Sequence, residues 1–160
     1  YGVKIGLSKT EAAILTSTYW IGFMIGRFAT VFLARKSHGI LAIQLGALFN
    51  VAVCLALYFR FDSILLPCAL VYGLAAAPQF PLMFAFIGSR TSLSGKLTAR
   101  IVGTVGLSST TLPWLAGQFL ERVGVETFPI FLACTATIVW IATKLITNNF
   151  GVSTHVSQAN

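Results

Sequence analysis

Apolar residues fill five long stretches of the chain, Ala12 to Ala34, Gly39 to Phe59, Ser63 to Gly88, Leu97 to Leu120 and Thr127 to Thr147, with short polar breaks between them. Every stretch is longer than 20 residues. About 20 residues of α-helix cross the roughly 30 Å of hydrocarbon in a bilayer, so each stretch predicts one crossing. Helices also satisfy their own backbone amides in lipid. The short alternating segments of a membrane β-barrel are not the pattern here. The expectation is an all-α membrane protein of five transmembrane helices, with residues 1–160 forming one helical bundle and residues 148–160 a tail. An odd number of crossings puts the two ends on opposite sides.

Charge gives these crossings a direction. The four carboxylates, Glu11, Asp62, Glu121 and Glu126, all fall in alternate breaks, whereas the intervening breaks carry Arg35, Lys36, Arg90 and Lys96, with Arg100 at the edge of the stretch that follows, all unopposed. Lysine and arginine accumulate on cytoplasmic loops. That rule places the N-terminal end outside and the tail from Asn148 in the cytoplasm, although Lys4, Lys9, Arg60 and Arg122 lie in the outer breaks. The chain opens on the polar stretch Tyr1 to Lys9 with neither an initiator Met nor a signal peptide, and the expectation is that it belongs to a longer protein.

Composition narrows the class. Charged residues make up 9% of the chain and mean hydropathy is +0.84, too apolar for a single soluble core of this size. The net charge of +7 reports topology and attraction to an anionic leaflet. It is not massed on a soluble surface as nucleic-acid binding requires. Cys54, Cys68 and Cys134 lie singly inside apolar stretches, without the spacing of a metal site or a disulfide framework. His38 and His155 stand in polar segments apart from other candidate ligands. No phosphate-binding glycine loop, zinc signature or nucleophile elbow is present, so an enzyme is not expected, and neither is a cofactor or metal.

The chemistry that remains is at mid-depth. Thr16, Tyr19, Phe23 and Arg27 recur at helical steps on one face of the first span. Tyr19 and Trp20 lie about 12 Å inside the outer boundary, deeper than the usual interfacial aromatic belt. Such rings suit a cavity wall that stacks on and hydrogen-bonds a polyol, or equally helix packing. Gly22 and Gly26 form a small-xxx-small pair for close helix approach. Arg27 lies about 10 Å from the inner boundary, where a charge must snorkel, pair or line water, and a structural or gating role is favoured over solute contact.

The third span carries Pro67, Pro78 and Pro81, which remove backbone donors and bend it. Gln79 stands at the weakened point, and Tyr72, seven residues earlier, falls on the same face; Gln79 is the strongest single site candidate, against a role as interhelical glue. In the fourth span Thr104, Ser108, Thr111 and Gln118 trace a polar stripe beside Pro113. Asn50, alone in the second span, reads as a packing hydrogen bond.

Taken in order, these residues resemble the major facilitator superfamily, specifically its C-terminal half in the branch of fucose permeases and sodium-dependent glucose transporter-like proteins. The resemblance rests on Tyr19-Trp20-Ile21-Gly22-Phe23-Met24-Ile25-Gly26-Arg27, on Gln79-Phe80-Pro81, and on the glycine- and hydroxyl-rich segment Gly103 to Gly117. It implies the last five of twelve helices, with the first, third and fourth spans lining a substrate cavity and the second and fifth forming scaffold. It further implies a partner in the N-terminal half of the same transporter, a plasma-membrane location and a cytoplasmic C-terminus. The family's basic loop motif has an acid where this chain has Arg35, so the acidic partners of Arg27, Arg35 and Lys36 must come from elsewhere.

The function this implies is secondary-active or facilitative transport of a small polar solute, a sugar, by alternating access. Tyr19, Trp20, Tyr72, Gln79, Ser108 and Thr111 are the expected solute contacts, and Arg27, Arg35 and Lys36 the gating residues. No carboxylate lies inside a span, which disfavours proton coupling through these helices alone. Sodium symport, uniport and a proton-coupling carboxylate elsewhere all stay open. The alternative is a transporter-fold sensor or scaffold without flux.

Overall fold

Ser8 and Glu11 start the first long helix. The Ser8 hydroxyl accepts from the Glu11 N–H at 3.2 Å, and the Glu11 carboxylate accepts from the Ser8 N–H and hydroxyl, each at 2.8 Å, which is a capping box. Gly6, with φ of 101°, makes the preceding turn from a 3-10 helix at Gly2–Ile5, a backbone conformation that a side chain would strain.

In the computed structural model this turn leads into α1 (Lys9–Arg35), α2 (Gly39–Tyr58), α3 (Leu65–Ala76), α4 (Gln79–Arg90), α5 (Gly95–Arg122) and α6 (Thr127–Val156). The structure describes residues 2–35, 39–59 and 64–156, and their side chains except at 33–35 and 149–156. Among the described residues there is no strand, so the fold is all-α. Gly39–Tyr58, Leu65–Arg90 and Thr127–Asn148 are each long and apolar enough to cross a membrane. The first and fourth expected spans form helices of 27 and 28 residues, but their polar positions dilute the apolar run and they stand outside that set of three. The helix of the fifth span continues to Val156, beyond the expected limit at Thr147, although the sequence turns polar at Asn148 and Asn149.

The third span is interrupted between Ala76 and Gln79. Pro78 has no N–H to give the Leu74 carbonyl, and Pro81 has none for Ala77. The Ala77 N–H still reaches the Gly73 carbonyl at 3.1 Å, and Leu82 resumes the ladder on Pro78 at 3.0 Å. Pro67 falls in the first turn of α3, where its missing donor costs nothing, and the helix runs through it.

Packing places α1 on α3, α3 and α4 on α2, and α2 on α6, while α5 is held mainly through α6. The core follows α2, where Ile43, Ala47 and Cys54 are buried together with Leu82 of α4 and Ala136 and Thr143 of α6. Apolar side chains elsewhere are turned outward, Phe28 and Phe32 on α1 and Leu107 on α5 among them. Such exposure is tolerable in lipid and not in water. With the three membrane-length helices, it makes the chain an integral membrane protein.

Candidate functional site

Glycine builds the centre of the α1–α3 pair. A Cβ on Gly26 would lie 2.5 Å from the Leu74 carbonyl oxygen and 2.9 Å from the Ala77 Cβ. Gly22 faces the Leu70 carbonyl, and Gly73 faces the Tyr19 carbonyl, even more closely. The two backbones therefore touch, as the small-xxx-small spacing predicts. Leu74 O, left without its helical donor by Pro78, is the carbonyl that lies against Gly26.

This contact carries Tyr19 to Tyr72. Their ring centroids are 6.3 Å apart with planes at 42°. Tyr19 also stacks on Phe23 at 6.0 Å and meets Trp20 edge-on at 5.3 Å. Tyr19, Tyr72 and Thr16 share one cavity wall. The Thr16 hydroxyl is engaged, donating to the Ala12 carbonyl at 3.0 Å.

The other expected residues lie on different surfaces. Trp20 is 59% exposed and shares an outward groove with Phe23, Met24 and Arg27. The guanidinium of Arg27 sits over the Phe23 ring, 5.1 Å from its centroid. A straight helix explains the split, because steps of three and four residues drift around the axis and the Thr16-to-Arg27 stripe serves two surfaces. Gln79 points toward α2: its Nε2 donates to the Ala75 carbonyl at 3.2 Å, beside Gly46. The interruption at Pro78 lies between Tyr72 and Gln79, and Gln79 is not in the wall of the Tyr19–Tyr72 cavity.

Ser108 donates to Thr104 O at 2.8 Å and Thr111 to Leu107 O at 2.9 Å, so both protons are held within α5. No α5 residue is buried. A groove formed by Phe80, Phe84, Arg100 and Thr104 separates α4 from the start of α5. The Arg35 side chain and Lys36 lie outside the described residues.

Four residues were not legible as site elements in the sequence. Leu57 of α2 and Phe128 of α6 complete the tyrosine cavity, as does Cys68, one turn before Tyr72. Asn50 is 3% exposed, and its Oδ1 has no partner among the described residues, in place of the packing hydrogen bond expected of it. Among the described residues no group of His, Cys, Asp and Glu could hold a metal ion.

No protein-family model matches the chain, and no solved structure matches it. Over 138 residues it is 28% identical to the "Sodium-dependent glucose transporter 1" of Danio rerio, covering 83% of this chain and 23% of that protein. The similarity is to a transporter, and it is distant and partial. The chain spans less than a quarter of that relative's length.

Proposed function

We propose that this chain is the C-terminal helical part of a major facilitator transporter that moves a small polar solute, a sugar, by alternating access. The similarity to a glucose transporter along most of the chain is the observation that carries the reading. The interrupted third span and the abutting backbones of α1 and α3 support it, since rocking bundles need rigid helix pairs and points of bend. We take Tyr19, Trp20, Tyr72, Gln79, Ser108 and Thr111 as solute contacts. Their spread over separate surfaces fits a path completed by helices of the N-terminal half. Arg27, Arg35 and Lys36 act in gating, in a plasma-membrane protein with a cytoplasmic C-terminus. Such a carrier acts without enzymatic chemistry, and sodium is the coupling ion we favour.

Uptake of labelled glucose by proteoliposomes containing the full-length transporter tests this. Saturable uptake driven by a sodium gradient and lost in Gln79→Ala is the expected result. Saturable glucose binding with no flux refutes transport and leaves a sensor.

A further inference from the structure

The cavity behind Tyr19 and Tyr72 has a volume of about 440 Å³. Apart from Thr16, whose hydroxyl is held by the Ala12 carbonyl, and the Cys68 thiol, the rest of its lining is apolar, with Leu15 from α1, Leu57 from α2, Leu65 from α3 and Phe128 from α6. Among the described residues no hydrogen bond uses either phenol hydroxyl. The volume lies within the range of small-molecule sites, which combine apolar walls with a few placed polar groups. Two adjacent free phenols on such a wall define the complementary guest. A molecule rich in hydroxyls would leave most of them unpaired against leucine and phenylalanine, whereas one with a single hydroxyl or carbonyl has that group satisfied.

We propose that this cavity binds a compact neutral amphiphile, an alicyclic or aromatic body bearing one hydroxyl or carbonyl, held by the phenols of Tyr19 and Tyr72. The site shares these phenols with the solute path proposed above and rests on that reading only for this overlap: a sugar meets them where helices of the N-terminal half supply its remaining polar partners, whereas the cavity walled by this chain alone holds the amphiphile whether or not transport occurs.

Cys68 lines the cavity and serves as the reporter. In a Cys54→Ala, Cys134→Ala background in nanodiscs, methanethiosulfonate labelling of Cys68 is timed with 1-adamantanol, adamantane or glucose. At several times its Kd, 1-adamantanol slows labelling about fivefold, as occupancy dictates, and adamantane at the same lipid mole fraction slows it much less. Tyr19→Phe with Tyr72→Phe keeps both rings and abolishes the difference. No protection by 1-adamantanol, equal protection by adamantane, or protection by glucose alone overturns the proposal. Failure of glucose uptake in the transport assay leaves this labelling result standing, so the two readings fail separately.

Discussion

Gly26→Ala adds one methyl group where α1 abuts the backbone of α3, and its effect follows from the geometry. The new carbon would sit 2.5 Å from the Leu74 carbonyl oxygen and 2.9 Å from the Ala77 Cβ, where ordinary contact begins at 3.4 Å. The obstacle is mainly backbone, which cannot rotate aside as a side chain does. Helix α1 must retreat by about 1 Å, which forfeits part of the dispersion contact along the pair. Overpacking of this kind costs about 1–3 kcal/mol. Alanine returns about 0.5–1 kcal/mol of helix propensity, leaving a net loss of about 1 kcal/mol at mid-range and about 2.5 kcal/mol at most. Gly103 on α5 provides the control, because a Cβ there meets nothing within 4 Å and only the propensity gain applies. Thermal unfolding of the 160-residue chain in nanodiscs is the assay. At about 2–4 °C per kcal/mol, Gly26→Ala lowers the midpoint by about 2–4 °C at mid-range and about 10 °C at most, while Gly103→Ala leaves it unchanged or raises it. A midpoint for Gly26→Ala at or above that of the parent chain would refute the packing argument.

Further predictions use the same physics. Pro78→Ala supplies an N–H for Leu74 O and removes a residue that costs about 3 kcal/mol inside a helix, so stability holds or rises while the initial uptake rate falls; unchanged uptake would dismiss the interruption as functional. Asn50→Leu removes a buried acceptor that lacks a partner, and since such a group costs about 1–3 kcal/mol, the variant unfolds at the same or a higher temperature; a clear drop would mean that Oδ1 is bonded. Glu11 is held below the usual carboxylate range because the Ser8 N–H, and then the Ser8 hydroxyl, donate to its charged form. A lowered folded-state value stabilises above the unfolded value and is lost as pH falls through the folded one. Hydrogen-exchange protection of the first turn of α1 therefore declines in acid, and Glu11→Gln lacks most of that dependence; an identical profile in the variant would remove the capping box as its cause.

Several parts of the candidate site were readable residue by residue. The Gly22–Gly26 spacing announced close helix contact, since only small residues at four-residue steps let two backbones meet, and the contact lies against Leu70 and Leu74. Seven-residue spacing puts Tyr72 and Gln79 on one face only of a continuous helix, and Pro78 intervenes, so Gln79 lies outside the cavity that Tyr72 lines. Tyr19 and Trp20, adjacent in sequence, share a depth but not a face; 100° of helix rotation turns one into the cavity and the other outward.

By itself the sequence determined that the chain is helical and lipid-embedded, because run length, apolarity and backbone hydrogen bonding are local properties that lipid enforces segment by segment. It also placed the interruption in the third span, since proline lacks a donor wherever it sits. Only the tertiary structure decided which helix faces which. Apolar faces are interchangeable partners in a hydrophobic solvent, and the choice falls to shape: Gly22, Gly26 and Gly73 admit a backbone where larger residues would not. From that fit follows the pairing of Tyr19 with Tyr72, while the packing of α2 on α3 and α6 brings Leu57 and Phe128 to their cavity.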